Sequence, residues 1–410
     1  MERTTLWNRD FGAYWLGLAS AALGDALVVI ALPFLVLAVS GDPRAIATTL
    51  LAASIARFAG PIVGALADRL PLRPTLVLAG VSRALLFGGM GALAVGAELP
   101  LAVVYLVAFL NGLVSTYVFA AGNVAVPRLV PQGELVRANS LVQAALQGIP
   151  LLGLGIAGAL VGWLGPAATL LLAAPLLGLE ALFCALVRGL DRPRRDGSRH
   201  EATSFLSELA TGLDHLRRAG PLVLVLPLSL MVNVAMLLLS ALMPVLMDRS
   251  GHGAGGYGLF EMTLSTGILV GIGVVTVVAR RVAPQHGVSL AQVVMATGFG
   301  AMAAGGFPWL LAGAGLLGLG IGFNQVAAIT LLQLAIPEGA RGKVMGTIVS
   351  VNAVGQAAGA ALSAAAADGL PPTLTFAASA GVVAACAAVW CVATLLGKDR
   401  LRAALAQSAG

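Results

Sequence analysis

Charge is scarce in this sequence: Asp, Glu, Lys and Arg make up 10% of its 410 residues, against about 25% in soluble domains. So little charge cannot clothe a water-facing surface, which excludes an ordinary soluble globular protein. Cysteine is nearly missing as well. Cys184, Cys386 and Cys391 all fall inside apolar runs, and an odd number placed there offers no disulfide framework. The four histidines lie in connecting segments at no metal-ligand spacing. With no His, Cys or paired acidic constellation, the chain has no visible catalytic set, so neither an enzyme nor a bound cofactor is expected. The glycine-rich run Gly313–Gly322 lacks a preceding strand and a Walker lysine, so it reads as a place of close helix packing or bending, not a phosphate loop.

What remains is apolar: 59% of residues are hydrophobic and the mean hydropathy is +0.94. Runs of about 20 apolar residues recur along the chain without the polar/apolar alternation of barrel strands, so the spans are helices. They are expected near 14–39, 46–66, 74–96, 101–125, 138–162 and 166–188, then 221–246, 256–279, 287–306, 309–335, 344–366 and 373–396. The first run carries Asp25 and lacks a small-residue cleavage site, so it reads as a span and not a signal peptide. This predicts an all-α integral membrane protein of twelve transmembrane helices in two six-helix, pseudo-symmetric bundles. The boundaries are 1–188 for the first bundle, 189–220 for a linker, 221–397 for the second bundle and 398–410 for a tail. The linker is polar and then amphipathic, with Phe205, Leu206, Leu209, Leu213 and Leu216 at helical spacing, as in a helix lying at the membrane surface.

Basic residues fix the orientation. Twenty of the 24 Lys and Arg residues fall on the side that holds both termini and the linker, which the positive-inside rule makes cytoplasmic. The net charge of +6 then needs only anionic lipid headgroups as partner, and a nucleic-acid reading has no support. Trp15, Trp163 and Trp309 stand at predicted span edges, where tryptophan anchors helices at the interface.

A few charges lie deep. From helical rise, Asp25 and Arg57 sit about 17 Å from the cytoplasmic ends of their spans, Arg83 about 14 Å and Glu180 about 12 Å. Unpaired, each would cost roughly 2.5–3.5 kcal/mol on insertion scales, about 10–14 kcal/mol together, so a paired network lining a cavity is expected. Asp25 reads either as a proton-titrating or cation-binding carboxylate or as a structural partner of Arg57 or Arg83; Glu180 is a further candidate for the same network. The second half has no ionisable residue at that depth. It offers the amides Asn233, Asn324, Asn352 and Gln356, and the first half Asn111 and Gln147, as candidates for contact with solute or for interhelical hydrogen bonds.

The halves echo each other: "VPQGELVRANS" (Val130–Ser140) and "IPEGARGKVMG" (Ile336–Gly346) recur at an offset of 206 residues, each between the fourth and fifth spans of its half. Repeated six-span halves are a transporter architecture with the solute site near the midplane. After span 2, "GALADRLPLRP" places Gly64, Asp68, Arg69 and Arg73 in a short cytoplasmic gap. This segment resembles the signature of the major facilitator superfamily, with Pro71 in place of a glycine and Leu72 in place of a base. The resemblance implies that these four residues form a conformational latch, asymmetric because "VVARRVAPQHG" in the second half has no aspartate. The N-terminal stretch Asn8–Leu37 and "VPRLVPQGELVRANSLVQ" resemble the bacterial exporter branch that includes enterobactin and macrolide efflux proteins. Gly148, Pro150, Gly153 and Gly155 carry the residue types of its span-5 antiporter motif in altered order, and span 4 lacks the branch's basic residue.

The resemblance implies a secondary transporter in a bacterial inner membrane, both termini cytoplasmic, acting as a monomer. It would export a small organic or amphipathic compound in exchange for protons, with Na+ as the other coupling ion compatible with the sequence. A proton-linked uptake symporter shares these features. A non-transporting sensor would need an output domain, for which the linker and tail leave no room.

Overall fold

A computed structural model describes residues 7–59, 63, 70–96, 99–191, 205–278, 282–336, 338–366 and 371–397. Among them the chain forms thirteen α-helices and no strand. They are α1 (Arg9–Ser40), α2 (Pro43–Arg57), α3 (Leu72–Gly96), α4 (Leu101–Leu129), α5 (Leu135–Leu164), α6 (Pro166–Leu186), α7 (Phe205–Arg218), α8 (Val225–Arg249), α9 (Gly253–Val278), α10 (Pro284–Ala303), α11 (Phe307–Ala335), α12 (Glu338–Ala366) and α13 (Pro372–Leu396). Each expected span falls on one of these helices, and α7 is the linker's amphipathic helix.

Ten of the helices are long and apolar enough to cross a membrane. Of the two other expected spans, α2 is described over 15 residues, and most of its continuation toward residue 66 lies outside the described residues. The other, α10, is 20 residues long but opens on Pro284, Gln285 and His286 and carries Gln292, which dilutes its apolar character. Large side chains such as Leu85, Phe119, Leu152 and Leu396 point outward and are exposed. In water such a surface would aggregate; in lipid it is the solvated face.

Helix ends follow local chemistry. Asn8 caps α1 by accepting from the Phe11 amide at 2.8 Å, and its Nδ2 donates to the Leu129 carbonyl at the end of α4, also at 2.8 Å. Gly41 (φ 64°) ends α1 and Gly165 (φ 83°) turns α5 into α6, in a backbone region that glycine enters without strain.

Backbone contacts divide the chain into two compact units, Met1–Arg199 with Met243–Leu259, and His200–Leu242 with Phe260–Gly410. The end of α8 and the start of α9 thus group with the first unit. There a Cβ on Gly258 would come within 3.0 Å of the Gly158 Cα. Lipid is as apolar as leucine, so small residues, more than hydrophobicity, bring helices together. In the first unit α6 packs on both α1 and α3. Gly17 and Gly24 admit it on one side, and on the other a Cβ at Gly80 would meet the Ala181 amide nitrogen at 2.8 Å. Gly153 of α5 fits against Ala26 of α1, while Pro150 lies inside α5.

The second unit is built the same way around α11, whose glycine run packs as expected. A Cβ at Gly318 would fall on the Leu264 carbonyl of α9, and one at Gly298 of α10 would come 2.7 Å from the Leu317 nitrogen. The linker helix also belongs to this unit: Leu216 is fully buried in a core with Leu222, Ile336 and Val344, with Leu213 packed against it. The side chains of Phe205, Leu206 and Leu209 lie outside the described residues. Trp163 and Trp309 are exposed, whereas the Trp15 Nε1 donates to the Leu141 carbonyl at 2.9 Å.

Candidate functional site

The contacts that seat α6 also assemble the charges. Gly80 lies one turn before Arg83, and the Ala181 it meets follows Glu180, so the approach of α3 to α6 brings base and acid together. The Arg83 Nη1 donates to Glu180 Oε2 at 3.3 Å, its Nη2 to Asp25 Oδ1 on α1, and its Nε to Asn111 Oδ1 on α4 at 3.2 Å. Four helices are tied through one guanidinium. Arg83 and Glu180 are sealed, with side chains 4% and 5% exposed, but the Asp25 side chain is 47% exposed. The cluster therefore has a closed end and an open one.

Arg57 does not join it. It ends the described part of α2 on an exposed face. The charges that meet are thus two acids and one base, not the balanced set that depth alone suggested. With both carboxylates ionised the cluster carries one net negative charge, which one proton or one cation cancels. Gln147 is half-buried on α5.

In the second unit the polar residues are amides. Asn233 of α8 donates from Nδ2 to Asn352 Oδ1 of α12 at 3.2 Å and to its own helix at the Ser229 carbonyl at 2.9 Å. Its Oδ1 accepts from the Gln356 Nε2 at 3.4 Å. Asn233 and Asn352 line a cavity of about 440 Å³, joined by Asn324 and Gln325 of α11 and Gln292 of α10. Gln292 and Gln325 were not among the residues read from the sequence.

Of the expected latch, Gly64, Asp68 and Arg69 lie outside the described residues. Arg73 is turned toward the end of α6: its Nε donates to the Ala185 carbonyl at 3.1 Å, and its Nη2 reaches the same oxygen. Carbonyls at a helix C-terminus carry partial negative charge, so this contact stabilises the end of α6 within the first unit.

A multi-pass helical membrane protein with an ion-paired cluster in one unit and a polar cavity in the other has the parts of a solute carrier. The model of the Major Facilitator Superfamily matches residues 14–287, and the chain belongs to that superfamily; it is a transporter. Macrolide efflux protein A of Streptococcus pyogenes is 24% identical over 404 residues, covering 95% of this chain and 97% of that protein. The uncharacterized MFS-type transporter y4rN of Sinorhizobium fredii is 30% identical over 271 residues, 64% of each chain. Among solved structures, the nucleoside transporter NupG superposes with a TM-score of 0.78 at 13% identity, covering 94% of this chain and 99% of that one. A bacterial homologue of the iron transporter ferroportin in its inward-facing state gives 0.65 at 20% identity, covering 94% and 98%. At these identities the structural likeness speaks for the fold alone.

Proposed function

We propose that the protein is a proton-coupled exporter of a small organic or amphipathic compound, working by alternating access in a bacterial inner membrane with both termini cytoplasmic. The observation that carries this reading is the charge count around Arg83: two carboxylates share one cation, and the carboxylate that is open is Asp25. A proton arriving at Asp25 would neutralise the cluster and weaken its hold on Arg83. Since Arg83 also holds α4 and α6 through Asn111 and Glu180, the protonation state of Asp25 would reach three neighbouring helices. Export as the direction is supported by the length-wide similarity to a macrolide efflux protein.

Transport of a macrolide into everted membrane vesicles tests this under an imposed pH gradient, acid inside. Wild type should accumulate the compound only while the gradient lasts. Asp25→Asn should fall to the level seen without a gradient while still exchanging labelled for unlabelled compound. Undiminished gradient-driven accumulation in Asp25→Asn removes that carboxylate from coupling, and accumulation that requires the opposite gradient, acid outside, makes the carrier a symporter.

A further inference from the structure

One face of α10 is unusual for a membrane span. Gln285, Ser289 and Gln292 recur at intervals of four and three residues, which stacks them along one side of the helix. The Gln285 Oε1, the Ser289 Oγ and the Gln292 Oε1 are each buried without a hydrogen-bond partner. Asn324 Oδ1, on the adjoining α11, is in the same condition. Among the described residues these four are the buried side-chain polar atoms that lack a partner, and all belong to the second unit. A buried polar group left unpaired costs about 1–3 kcal/mol, and two of the four, on Gln292 and Asn324, belong to residues that line the cavity, where an occupant would hydrogen-bond them.

The cavity is where that occupant would sit. Gln292, only 4% exposed as a residue, and Asn324 line it together with Asn233 and Asn352. The rest of its wall is largely apolar, including Met236, Met295 and Ile268. Trp390 of α13 closes the side nearest the start of α10, fixed there by its Nε1 donating to the Gln285 carbonyl at 2.9 Å. No Asp, Glu, Lys or Arg lines the cavity. A charged ligand would lose its hydration and find no counter-ion there, which disfavours it strongly. The orphaned atoms on the cavity wall are the amide oxygens of Gln292 and Asn324, which accept hydrogen bonds, so the matching ligand brings donors.

We infer that this pocket, lined by residues of the second unit, binds an uncharged amphipathic solute through its hydroxyl or N–H groups, with Gln292 and Asn324 as the accepting residues. The inference rests on the protein being a carrier of amphipathic compounds, but binding here requires neither proton coupling nor a given direction. The charged cluster and the solute pocket are then separate: one unit titrates, the other selects.

Equilibrium binding to the purified full-length protein in lipid nanodiscs tests the pocket. The probe is chloramphenicol, a neutral aromatic compound with two hydroxyls and an amide N–H, compared with its diacetate, in which both hydroxyls are esterified. Wild type should bind the diol about tenfold more tightly than the diacetate, the scale of one or two lost hydrogen bonds. Gln292→Met keeps the volume but removes the orphaned amide. It should abolish the preference for the diol and, with no probe present, raise the unfolding temperature, a combination that a merely structural glutamine would not give. Equal affinity for both compounds, or binding of neither, overturns the proposal and assigns the cavity to water. So does a Gln292→Met protein that is less stable yet keeps the preference. The binding assay imposes no pH gradient, so a failure of coupling and a failure of the pocket give different results.

Discussion

The two units share a helical plan and close packing through glycine, but they spend polarity differently. In the first, Arg83, Asp25 and Glu180 form a compact charged cluster in which every nitrogen of the guanidinium is used. In the second, uncharged amides are spread over four helices, and the Gln292 and Asn324 side-chain oxygens are left unpaired beside a cavity. A carboxylate can change its charge and so respond to a proton gradient; an amide cannot, but it recognises neutral groups without the desolvation cost of an ion. The two units thus hold two chemistries which, under the proposed function, suit two tasks, energy coupling and solute recognition.

The largest test of this contrast is Arg83→Leu. Among the described residues Arg83 is the cation that touches both acids, so removing it leaves Glu180 sealed at 5% exposure without that partner, and breaking a buried ion pair from one side costs about 3–5 kcal/mol. Thermal unfolding of the purified protein should show a large loss of stability together with loss of transport. Adding Glu180→Gln should restore much of the stability, because the stranded charge is gone, but not the transport. If Arg83→Leu alone unfolds like wild type, the cluster is not what ties the first unit together.

The second unit should instead be most sensitive where backbones touch. Gly318→Val would drive a branched side chain into the Leu264 carbonyl, and overpacking of this kind costs about 1–3 kcal/mol. At Gly300, where an added Cβ meets nothing within 4 Å, the same change should stay within about 0.5 kcal/mol. Expression and unfolding temperature of the two variants, compared side by side, check the difference. Equal behaviour would mean that glycine packing around α11 contributes little.

The layout of spans was readable because apolar length is a strong and local signal, and each predicted span lies on a helix. Depth was readable too, which is why Asp25, Arg83 and Glu180 were grouped before their contacts were known. Depth is only one coordinate, however. Arg57 shares the layer but stands on an exposed face of α2, and the face is set by tertiary packing. Arg73 looked like part of a cytoplasmic signature, and its bond to Ala185 depends on α3 meeting α6, which spacing along the chain does not encode. Gln292 lies about 8 Å into its predicted span, shallower than the charges and amides that depth singled out. The signal that would have found it was the spacing of Gln285, Ser289 and Gln292 along one side of a weakly apolar span.

The smallest expected effect sharpens the contrast most. Asn233→Ala deletes a donor to Asn352 and to the Ser229 carbonyl and an acceptor for Gln356, yet interhelical hydrogen bonds in membranes average only about 0.6 kcal/mol. The reason applies here directly: the freed Asn352 and Gln356 amides can turn to each other or to whatever fills the adjoining cavity. Arg83 leaves its carboxylates no such substitute. A double-mutant cycle of Asn233→Ala and Asn352→Ala, read by thermal unfolding, should therefore give a coupling below about 1 kcal/mol, and flux should change through affinity for solute while the pH dependence of transport stays as in wild type. A coupling as large as that expected around Arg83 would make the amides a structural brace, and the division between a titrating unit and a selecting unit would fail.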